Sequence, residues 1–304
     1  MQVNGYSITV SGRFLRTAKL RHEWFEYLRD PGATIEQLRQ ADPRAADLFT
    51  FVPETLSQHR RYEFPSIPDS AAILAISTYE QWWENLHFKT RNKIRKAYKA
   101  GVELHETPLD APFVAGVKAI YDESPVRQGK RFRHYGKSID EIRDDLGSFP
   151  SCSLFVGAYL DTELIGFMKL FEGDNILRTI HIISKINERE KAVQDALIAK
   201  AVEICAGRKI AHLHYGIWSL GGLGDFKQKH GFRRVDIPRY FIPITLKGKA
   251  VLKLGLNRPV RDVLPESWAD RLITLRNRFA AVRESRKRTA SVRPPKPAAV
   301  IHQP

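Results

Sequence analysis

Three histidines lie in apolar stretches that are typical of buried strands. His181 lies in one such stretch, and His212 and His214 alternate in the next, which places both on one face of a strand and Tyr215 on the other. Imidazole titrates near neutral pH, so these side chains are candidate general bases. If the two strands diverge, His181 and one of the other two histidines face the same cleft; the alternative is that each is a packed, hydrogen-bonded residue. We expect no metal at His212 and His214, because no carboxylate or cysteine lies nearby at ligand spacing.

Basic residues are concentrated in two further segments. Residues 89–99 contain six cations and no acid, which favours a phosphate-bearing donor or acceptor; a solvated helix face is the alternative. In residues 126–137 cations alternate with aromatic side chains, a combination that holds a sugar or a base by stacking while it neutralises phosphate. The predicted substrate-binding residues are Arg91, Arg95, Lys130, Arg131, Arg133, Tyr135 and Trp218.

The composition is that of a soluble, folded protein. The chain has 304 residues, of which 43% are hydrophobic and 27% are charged, and this balance excludes a wholly disordered chain. Its two cysteines, Cys152 and Cys205, are too few for a disulfide scaffold and are not spaced as zinc ligands. No apolar run reaches the length of a membrane span, and basic residues interrupt the segment where a signal peptide would lie. We therefore expect a cytoplasmic protein.

The excess of positive charge is concentrated at the C-terminal end. The net charge is +15, of which residues 246–304 carry +10. We expect residues 246–285 to form an amphipathic, basic helical extension and residues 286–304 a disordered basic tail. Within them, residues 260–288 are predicted to contact an anionic membrane surface, which would place the protein at the periphery of the inner membrane. A helix that packs on the body and a nucleic-acid arm are the alternatives, and we expect no DNA partner.

The predicted elements alternate between strands and helices. From residue 70 to residue 245 their order is β-α-β-α-α-β-β-β-α-β-α-β, which indicates a mixed α/β fold. Among them, the clearest helices are expected over residues 78–100 and 189–205. Residues 59–70, which prolines punctuate, are expected to form a connector, and residues 232–245 a last strand or strand pair.

Three segments of the sequence, in chain order, resemble the FemAB-like branch of the GNAT acyltransferase superfamily. Residues 91–104, RNKIRKAYKAGVEL, resemble the basic element that precedes the first strand of a FemAB domain. Residues 194–216, QDALIAKAVEICAGRKIAHLHYG, are similar to the central helix and following strand of the GNAT core. Residues 221–245, which begin GGLGDFKQKHGF, are similar to the closing element of the family. The resemblance covers about residues 70–245.

The resemblance implies a twisted mixed sheet that is splayed between its central strands, where an acyl donor enters. It implies the α/β acyl-CoA N-acyltransferase fold for residues 67–245, and it leaves residues 1–66 as an N-terminal αβ extension or a reduced second GNAT half. The implied activity is transfer of an acyl group, acetyl being expected first, to an amine or hydroxyl of a cell-envelope or polysaccharide precursor. The alternatives are aminoacyl transfer from aminoacyl-tRNA, and a catalytically silent relative that binds a phosphorylated polymer or a membrane.

The resemblance also implies roles for individual residues. The Phe226-Lys227 pair matches the Phe-Lys of the closing element; a solvated lysine beside a buried phenylalanine is the alternative. If Lys227 acts in the reaction, Lys227→Ala is expected to lower turnover strongly and to leave the melting temperature nearly unchanged. The candidate catalytic residues are His181, His214, Tyr215 and Lys227, and the candidate cofactor-binding residues are Lys185, Arg189, Lys191, Val193, Gln194 and Phe226.

One departure from the family pattern concerns the donor. CoA-dependent GNAT enzymes commonly carry a glycine-rich loop that holds the pyrophosphate at the start of the central helix, whereas residues 184–195 contain no glycine. Cationic side chains and the free amides of the helix supply other phosphate contacts there. An acyl-CoA such as acetyl-CoA is therefore an expected donor without support from a motif, and aminoacyl-tRNA is the alternative donor. No metal cofactor is expected.

Overall fold

The structure is a computed structural model that describes residues 1–28, 30–41, 45–53 and 62–257. The predicted membrane-contacting segment, residues 260–288, lies outside the described residues, and so does the predicted basic tail. Both stay predictions.

In the part of the chain that the structure describes, eleven strands form one mixed sheet and two short strands form a separate hairpin. In chain order the strands are β1 Gln2–Val3, β2 Tyr6–Ser11, β3 Thr17–Leu20, β4 Leu48–Phe51, β5 Ser66–Ala75, β6 Val102–Thr107, β7 Val126–Arg127, β8 Lys130–Arg131, β9 Ser153–Leu160, β10 Glu163–Gly173, β11 Ile176–Ser184, β12 His212–Ile217 and β13 Arg233–Pro243. The sheet has the order β1-β2-β3-β4-β13-β5-β12-β11-β10-β9-β6, and β7 pairs with β8. The pairs β3–β4 and β11–β12 are parallel, whereas the other neighbours in the sheet are antiparallel. The expected mixed α/β class is confirmed.

The helices cover both faces of this sheet. They are α1 Pro31–Ala41, α2 Tyr79–Asn85, α3 Phe88–Lys99, α4 Ala111–Asp122, α5 Ile139–Leu146, α6 Val193–Arg208, α7 Gly222–Lys229 and α8 Leu246–Lys253. On one face α6 packs in a core with Met168 and Leu170 of β10, and on the other α4 and α5 pack with Phe167. Ten residues of α6 are buried because this helix lies between the sheet and α3, which explains its apolar sequence.

Local sequence explains where several helices begin. The side chains of Thr78, Asp110 and Ser138 accept hydrogen bonds from backbone amides in the first turns of α2, α4 and α5. These amides have no acceptor within their helix, so a hydroxyl or carboxylate at the N-cap satisfies them. Ser138 forms a full capping box with Glu141, and this fixes the entry to α5.

The central parallel pair separates part-way along its length. β11 and β12 are paired only over Ile176–Arg178 against His212–His214. Beyond Arg178 and His214 the strands continue to Ser184 and Ile217 without pairing to each other. The splayed sheet that the family resemblance implied is therefore present, and we call the gap between the free ends of β11 and β12 the splay.

Three predicted elements differ from the structure. The helix expected over residues 78–100 is divided into α2 and α3 at Leu86 and His87, both of which have extended backbone. The helix expected from residue 189 starts at Val193, because Ala192 adopts a left-handed conformation with φ 53°. The last strand is a single strand, β13.

The connector expected over residues 59–70 is also wrong in part. Residues 66–70 belong to β5, which pairs with residues 236–240 of β13. Pro68 lies directly opposite Pro238, so neither proline deprives a neighbour of an amide donor that the ladder could use. Pairing with a distant strand therefore overrides the local signal for a loop.

The N-terminal strands continue the same sheet. β4 pairs with β13 through Leu48–Phe51 against Tyr240–Pro243, and β3 and β2 follow outward. A separate core that includes Leu20, Leu38 and Phe49 lies under this part of the sheet. The division into residues 1–66 and 67–245 stays a prediction, since one sheet spans both.

Candidate active site

A β-bulge sets the direction of the side chains at the splay. In the pairing of β10 with β11, Lys169 is opposite His181 and Leu170 is opposite Thr179, so Ile180 is the extra residue. Because of this insertion, His181 lies on the same face of the sheet as Arg178, which pairs with His214 across the last rung before the splay. The two predicted histidines therefore share a face of the sheet.

His181 belongs to a cluster under residues 132–137. Its ring lies 5.6 Å from that of His134, centroid to centroid, in an edge-on arrangement, and His134 in turn lies 4.7 Å from Tyr121. His134 is 5% exposed, its Nε2 accepts from Nε of Arg133 at 2.9 Å, and its Nδ1 has no hydrogen-bond partner. Burial is the main reason that the pKa of His181 falls to about 4, and the neighbouring His134 and Arg133 add to it. At neutral pH His181 is uncharged and has a free lone pair.

Lys169 is a fully buried cation next to His181. Its Nζ donates to the carbonyl oxygens of Leu146 and Ser148 at 2.8 and 2.9 Å and to the hydroxyl of Ser148 at 2.7 Å. Three acceptors satisfy its three donors, yet burial still lowers its pKa to about 8. Lys169 thus fixes the α5–β9 loop beside the histidine cluster.

Lys169→Met is expected to remove a stability gain that the wild-type protein shows between about pH 8 and pH 10.5. The folded-state pKa near 8 lies below the usual value near 10.5, so over this interval the unfolded chain binds the extra proton and stability rises with pH. The gain is at most about 3 kcal/mol. Thermal unfolding of both proteins from pH 7 to pH 10 measures it, with Lys89→Met, a substitution on the surface of α3, as the control. Equal slopes of melting temperature against pH in wild type and Lys169→Met would contradict the prediction.

His214 faces a different set of groups. It is 3% exposed, and its ring stacks on Trp24 at 5.6 Å. Burial first, and then Arg178 and Lys227, lower its pKa to about 3. Trp24 has a left-handed φ of 83°, a strained conformation for a bulky residue, and this backbone turn directs its ring at His214. His214 is therefore buried beside Arg178 where the splay begins. His181 instead faces His134 on the loop of residues 132–137.

Tyr215 and Lys227 lie together on the opposite face. The Nζ of Lys227 lies 4.8 Å from the ring centroid of Tyr215 and donates to the carbonyl of Ile217 at 2.6 Å. Lys227 is only 2% exposed, so the alternative of a solvated lysine is wrong. Burial lowers the pKa of Lys227 to about 8 and raises that of Tyr215, so the tyrosine keeps its proton. The Phe-Lys pair therefore places a cation at the end of β12, beside the splay.

A cationic cavity opens at the N-terminus of α6. It has a volume of about 560 Å³. Five cations line it, against the two acids Glu190 and Asp195. These cations are Lys93, Lys96, Arg127, Lys185 and Arg189. We call it the donor cavity, because it contains most of the residues predicted to bind the cofactor. Five of the six line it, namely Lys185, Arg189, Val193, Gln194 and Phe226. The sixth, Lys191, is not among the lining residues and pairs with Glu188 at 2.5 Å.

Two anchors shape the donor cavity. Glu123 accepts from the amides of Ile186 and Asn187 at 2.5 and 2.9 Å, and Arg127 donates to the carbonyl of Ser184 at 2.7 Å, so the end of α4 is tied to the end of β11. The second is a close approach of α6 to the end of α7, where Nε2 of His230 lies 3.3 Å from a carboxylate oxygen of Asp195 without the geometry of a hydrogen bond. In the first turn of α6 the amide of Asp195 donates to the carbonyl of Ala192 at 3.0 Å, which leaves the amides of Val193 and Gln194 as the donors of a positive helix end at the cavity.

The predicted substrate-binding residues are distributed over three places. Lys130 and Arg131 form β8, and Tyr135 is 47% exposed on the loop that carries Arg133. The helix α3 carries Arg91 and Arg95, and Arg95 covers the ring of Trp83 at 5.2 Å. Trp218 lines a separate, larger groove of about 1360 Å³ beside β5, and it is not among the residues that line the donor cavity.

Sequence reasoning missed several residues of the site. The sequence marks three of them only as members of basic segments, namely Lys93, Lys96 and Arg127. Whether Lys93 and Lys96 face the cavity depends on where α3 begins, and the sequence did not predict the break before α3. His134 and Lys169 carry no motif. The one sequence signal for Lys169 is a single lysine inside an apolar strand.

Two features are absent from the residues that the structure describes. In the part of the chain that the structure covers, no group of three or more His, Cys, Asp and Glu side chains is placed to hold a metal ion. No helix within these residues has the length and apolar character needed to cross a membrane.

Comparison with known proteins identifies the architecture. No family model matches the sequence, and no curated protein matches it. Among solved structures, FemX superposes with a TM-score of 0.56 at 10% identity, covering 82% of this chain and 86% of FemX. The C-terminal domain of a putative lysylphosphatidylglycerol synthetase from Agrobacterium fabrum gives 0.54 at 13% identity, covering 84% and 85%. L-PGS from Bacillus licheniformis gives 0.52 at 14% identity, covering 81% and 83%.

These likenesses extend over four fifths of the chain at low identity, so they concern the fold. They cover more of the chain than residues 70–245, to which the sequence resemblance extends. The protein has the GNAT fold in its FemAB-like form.

Proposed function

We propose that the protein transfers an acyl group from a phosphate-bearing donor to an amine or hydroxyl. The observation that carries this proposal is the separation of β11 from β12 beside the cationic donor cavity. An unpaired gap between two strands admits an extended acyl arm, and the cavity next to it neutralises phosphate. The fold supports the same conclusion, since FemX and lysylphosphatidylglycerol synthetase share it.

The donor lies with its phosphates against the N-terminus of α6. Lys93, Lys96 and Arg189 supply charge. The amides of Val193 and Gln194, at the start of the helix, supply directed donors. An acyl-CoA such as acetyl-CoA satisfies this arrangement with its pyrophosphate. Without the glycine-rich loop, side-chain charge replaces the loop amides of other GNAT enzymes.

Aminoacyl-tRNA is the second candidate donor. One specific observation favours it: the basic surface continues from the cavity along α3 through Lys89 and Lys99, which do not line the cavity. A polyanion uses such an extended surface, whereas a single pyrophosphate does not. Under this alternative the transferred group is an aminoacyl group.

The reaction is a direct transfer. The nucleophilic nitrogen or oxygen forms a bond to the acyl carbon, and the bond from that carbon to the sulfur or oxygen of the donor breaks. Neutral His181 accepts the proton of the nucleophile, and Tyr215, which is protonated before the reaction, donates its hydroxyl proton to the leaving group. Proton exchange with solvent then removes the proton from His181 and returns one to Tyr215. The ammonium of Lys227 lies beside the splay, where it stabilises the negative charge of the tetrahedral intermediate.

The acceptor approaches from the face that carries His181. The loop of residues 124–138 borders this face, and Lys130, Arg131, Arg133 and Tyr135 lie on it. Cations and an aromatic ring on one loop suit a phosphorylated sugar or headgroup. An amine or hydroxyl on a cell-envelope or polysaccharide precursor is therefore the proposed acceptor.

Turnover with a panel of donors tests the proposal. The purified protein is incubated with acetyl-CoA, longer acyl-CoAs or aminoacyl-tRNA in the presence of amine and hydroxyl acceptors, and the product is identified by mass spectrometry. We expect one donor class to be consumed, with a reduction of at least about a hundredfold in His181→Asn. If the protein neither binds nor consumes any of these donors, it is a catalytically silent relative, and the proposal is contradicted.

A further inference from the structure

Four of the five most exposed large apolar side chains among the described residues lie on neighbouring segments. Phe14 and Leu246 are both 81% exposed, Leu254 is 69% exposed and Leu256 is 56% exposed. These four residues lie on α8, on the turn after it and on the β2–β3 turn. The backbone carbonyl of Phe14 accepts from Nζ of Lys247, which joins the β2–β3 turn to the start of α8. We call this set the α8 patch.

The solvent-facing stripe of α8 mixes leucine with lysine. Leu246, Lys249, Ala250 and Lys253 are all exposed and follow the spacing of one helix face, and Leu254 extends it. The sequence of α8, LKGKAVLK, contains three lysines and no acid. A helix that presents leucines flanked only by lysines to solvent is typical of a surface that meets anionic lipid.

The opposite side of α8 is held firmly against the sheet. Thr245 caps the helix by accepting from the amide of Gly248, and its hydroxyl donates to Asp47 at 3.1 Å. A Cβ on Gly248 would lie 2.0 Å from the carbonyl oxygen of Asp47, so only glycine permits this close approach. The inner side of α8 is therefore already packed against the body of the protein. The leucines on its outer side face solvent and are not part of the core.

The α8 patch and the splay lie at the same end of the sheet. β5 is antiparallel to both β12 and β13, with Ile217 opposite Ala71 and Tyr240 opposite Ser66. The end of β13, from which α8 starts, therefore points in the same direction as the free ends of β11 and β12. β13 is two strands from β12, or about 10 Å across the sheet, and Tyr240 lies five residues of β5, or about 17 Å, beyond Ile217 along the strand direction. Leu220, which is 87% exposed, projects at this end from the loop after β12.

We propose that the α8 patch binds the surface of an anionic lipid bilayer and brings the mouth of the splay to it. The apolar side chains enter the interface, and Lys249 and Lys253 meet the lipid phosphates. The exposed apolar side chains favour a lipid surface over a nucleic acid, because lysines alone are sufficient to bind the phosphates of a nucleic acid. The proposal deepens the proposed function, because it places the acceptor at a membrane, but vesicle binding is measured without any acyl transfer.

Sedimentation of the full chain with lipid vesicles tests this. Vesicles of equal parts phosphatidylglycerol and phosphatidylcholine are compared with pure phosphatidylcholine. The variant Leu246→Ser with Leu254→Ser removes apolar surface without changing charge, and the control Phe88→Ser changes a 54% exposed residue at the start of α3. We expect binding to the anionic vesicles, weakened at least about tenfold in the leucine variant and by less than twofold in the control.

Three results would overturn the proposal. They are no binding of the wild type to anionic vesicles, unchanged binding in the leucine variant, and an equal loss of binding to a single-stranded RNA in that variant. The second would assign the contact to charge elsewhere in the chain, and the third would identify a nucleic-acid surface. Circular dichroism of the variant confirms folding, which exposed positions do not disturb.

Discussion

Lys93→Ala combined with Lys96→Ala is expected to weaken donor binding about thirtyfold and to leave the melting temperature almost unchanged. Both lysines line the donor cavity, and both are exposed on α3, so their loss removes charge from the phosphate site without opening the core. A charge-assisted contact to phosphate contributes about 1 kcal/mol, and two of them account for this factor. Calorimetric titration with the donor that the turnover panel identifies measures the change.

The same helix supplies the matched control. Lys89→Ala with Lys99→Ala removes two exposed charges from α3 that do not line the cavity. With an acyl-CoA donor we expect the control to bind within about twofold of the wild type, since neither side chain lines the cavity and solvent weakens the attraction between an exposed charge and a phosphate that it does not contact. Equal losses in the two double variants would show that the whole face of α3, and not the cavity, holds the donor. Full binding in the cavity variant would remove α3 from the donor site.

Lys227→Met is expected to reduce turnover at least about a hundredfold and to lower stability by about 1 to 2 kcal/mol at pH 7. The loss of turnover follows from removing the only described ammonium that contacts Tyr215 at the end of β12. The loss of stability follows because the partly buried hydrogen bond from the ammonium to the carbonyl of Ile217 is lost, and a hydrogen bond to a charged group contributes about 1.5 to 3 kcal/mol. Methionine is uncharged, so the variant no longer carries the free-energy cost of burying an ammonium, and this offsets part of the lost stability.

This result replaces the expectation of an unchanged melting temperature for Lys227→Ala, because Lys227 is buried. Methionine keeps most of the volume of the lysine stem, so a cavity does not confuse the comparison. Lys229→Met, two residues along the same helix and exposed, is the control for charge and helix propensity. Turnover in Lys227→Met that falls only in proportion to its folded fraction would make Lys227 a structural tie between α7 and β12.

Much of the fold could be predicted from the sequence, because its signals are local. The N-caps at Thr78 and Ser138 and the mixed order of strands and helices depend on residues that are neighbours in the chain. The splay came from the family resemblance. What could not be predicted is pairing between distant segments: the participation of residues 66–70 in β5 depends on β13, about 170 residues later.

The site was predictable to the extent that one strand or helix carries it. Period two in β12 correctly separated His214 from Tyr215, and the closing element located Lys227. The facing of His134 and His181 could not be predicted, since a loop and a strand 47 positions apart meet there. Neither could the bulge at Ile180, which decides the face that His181 occupies.

The position of β5 has a consequence for how the molecule is made. This strand, near residue 70, separates β12 from β13, so the wall of the cleft joins the first third of the chain to the last. Contacts of such sequence separation raise the contact order, and the entropy of closing so long a loop must be met before they form. During synthesis β5 must therefore wait for most of the chain to emerge before either of its edges is covered. The cleft is therefore assembled late, because segments about 140 to 170 residues apart in the chain must meet to form it.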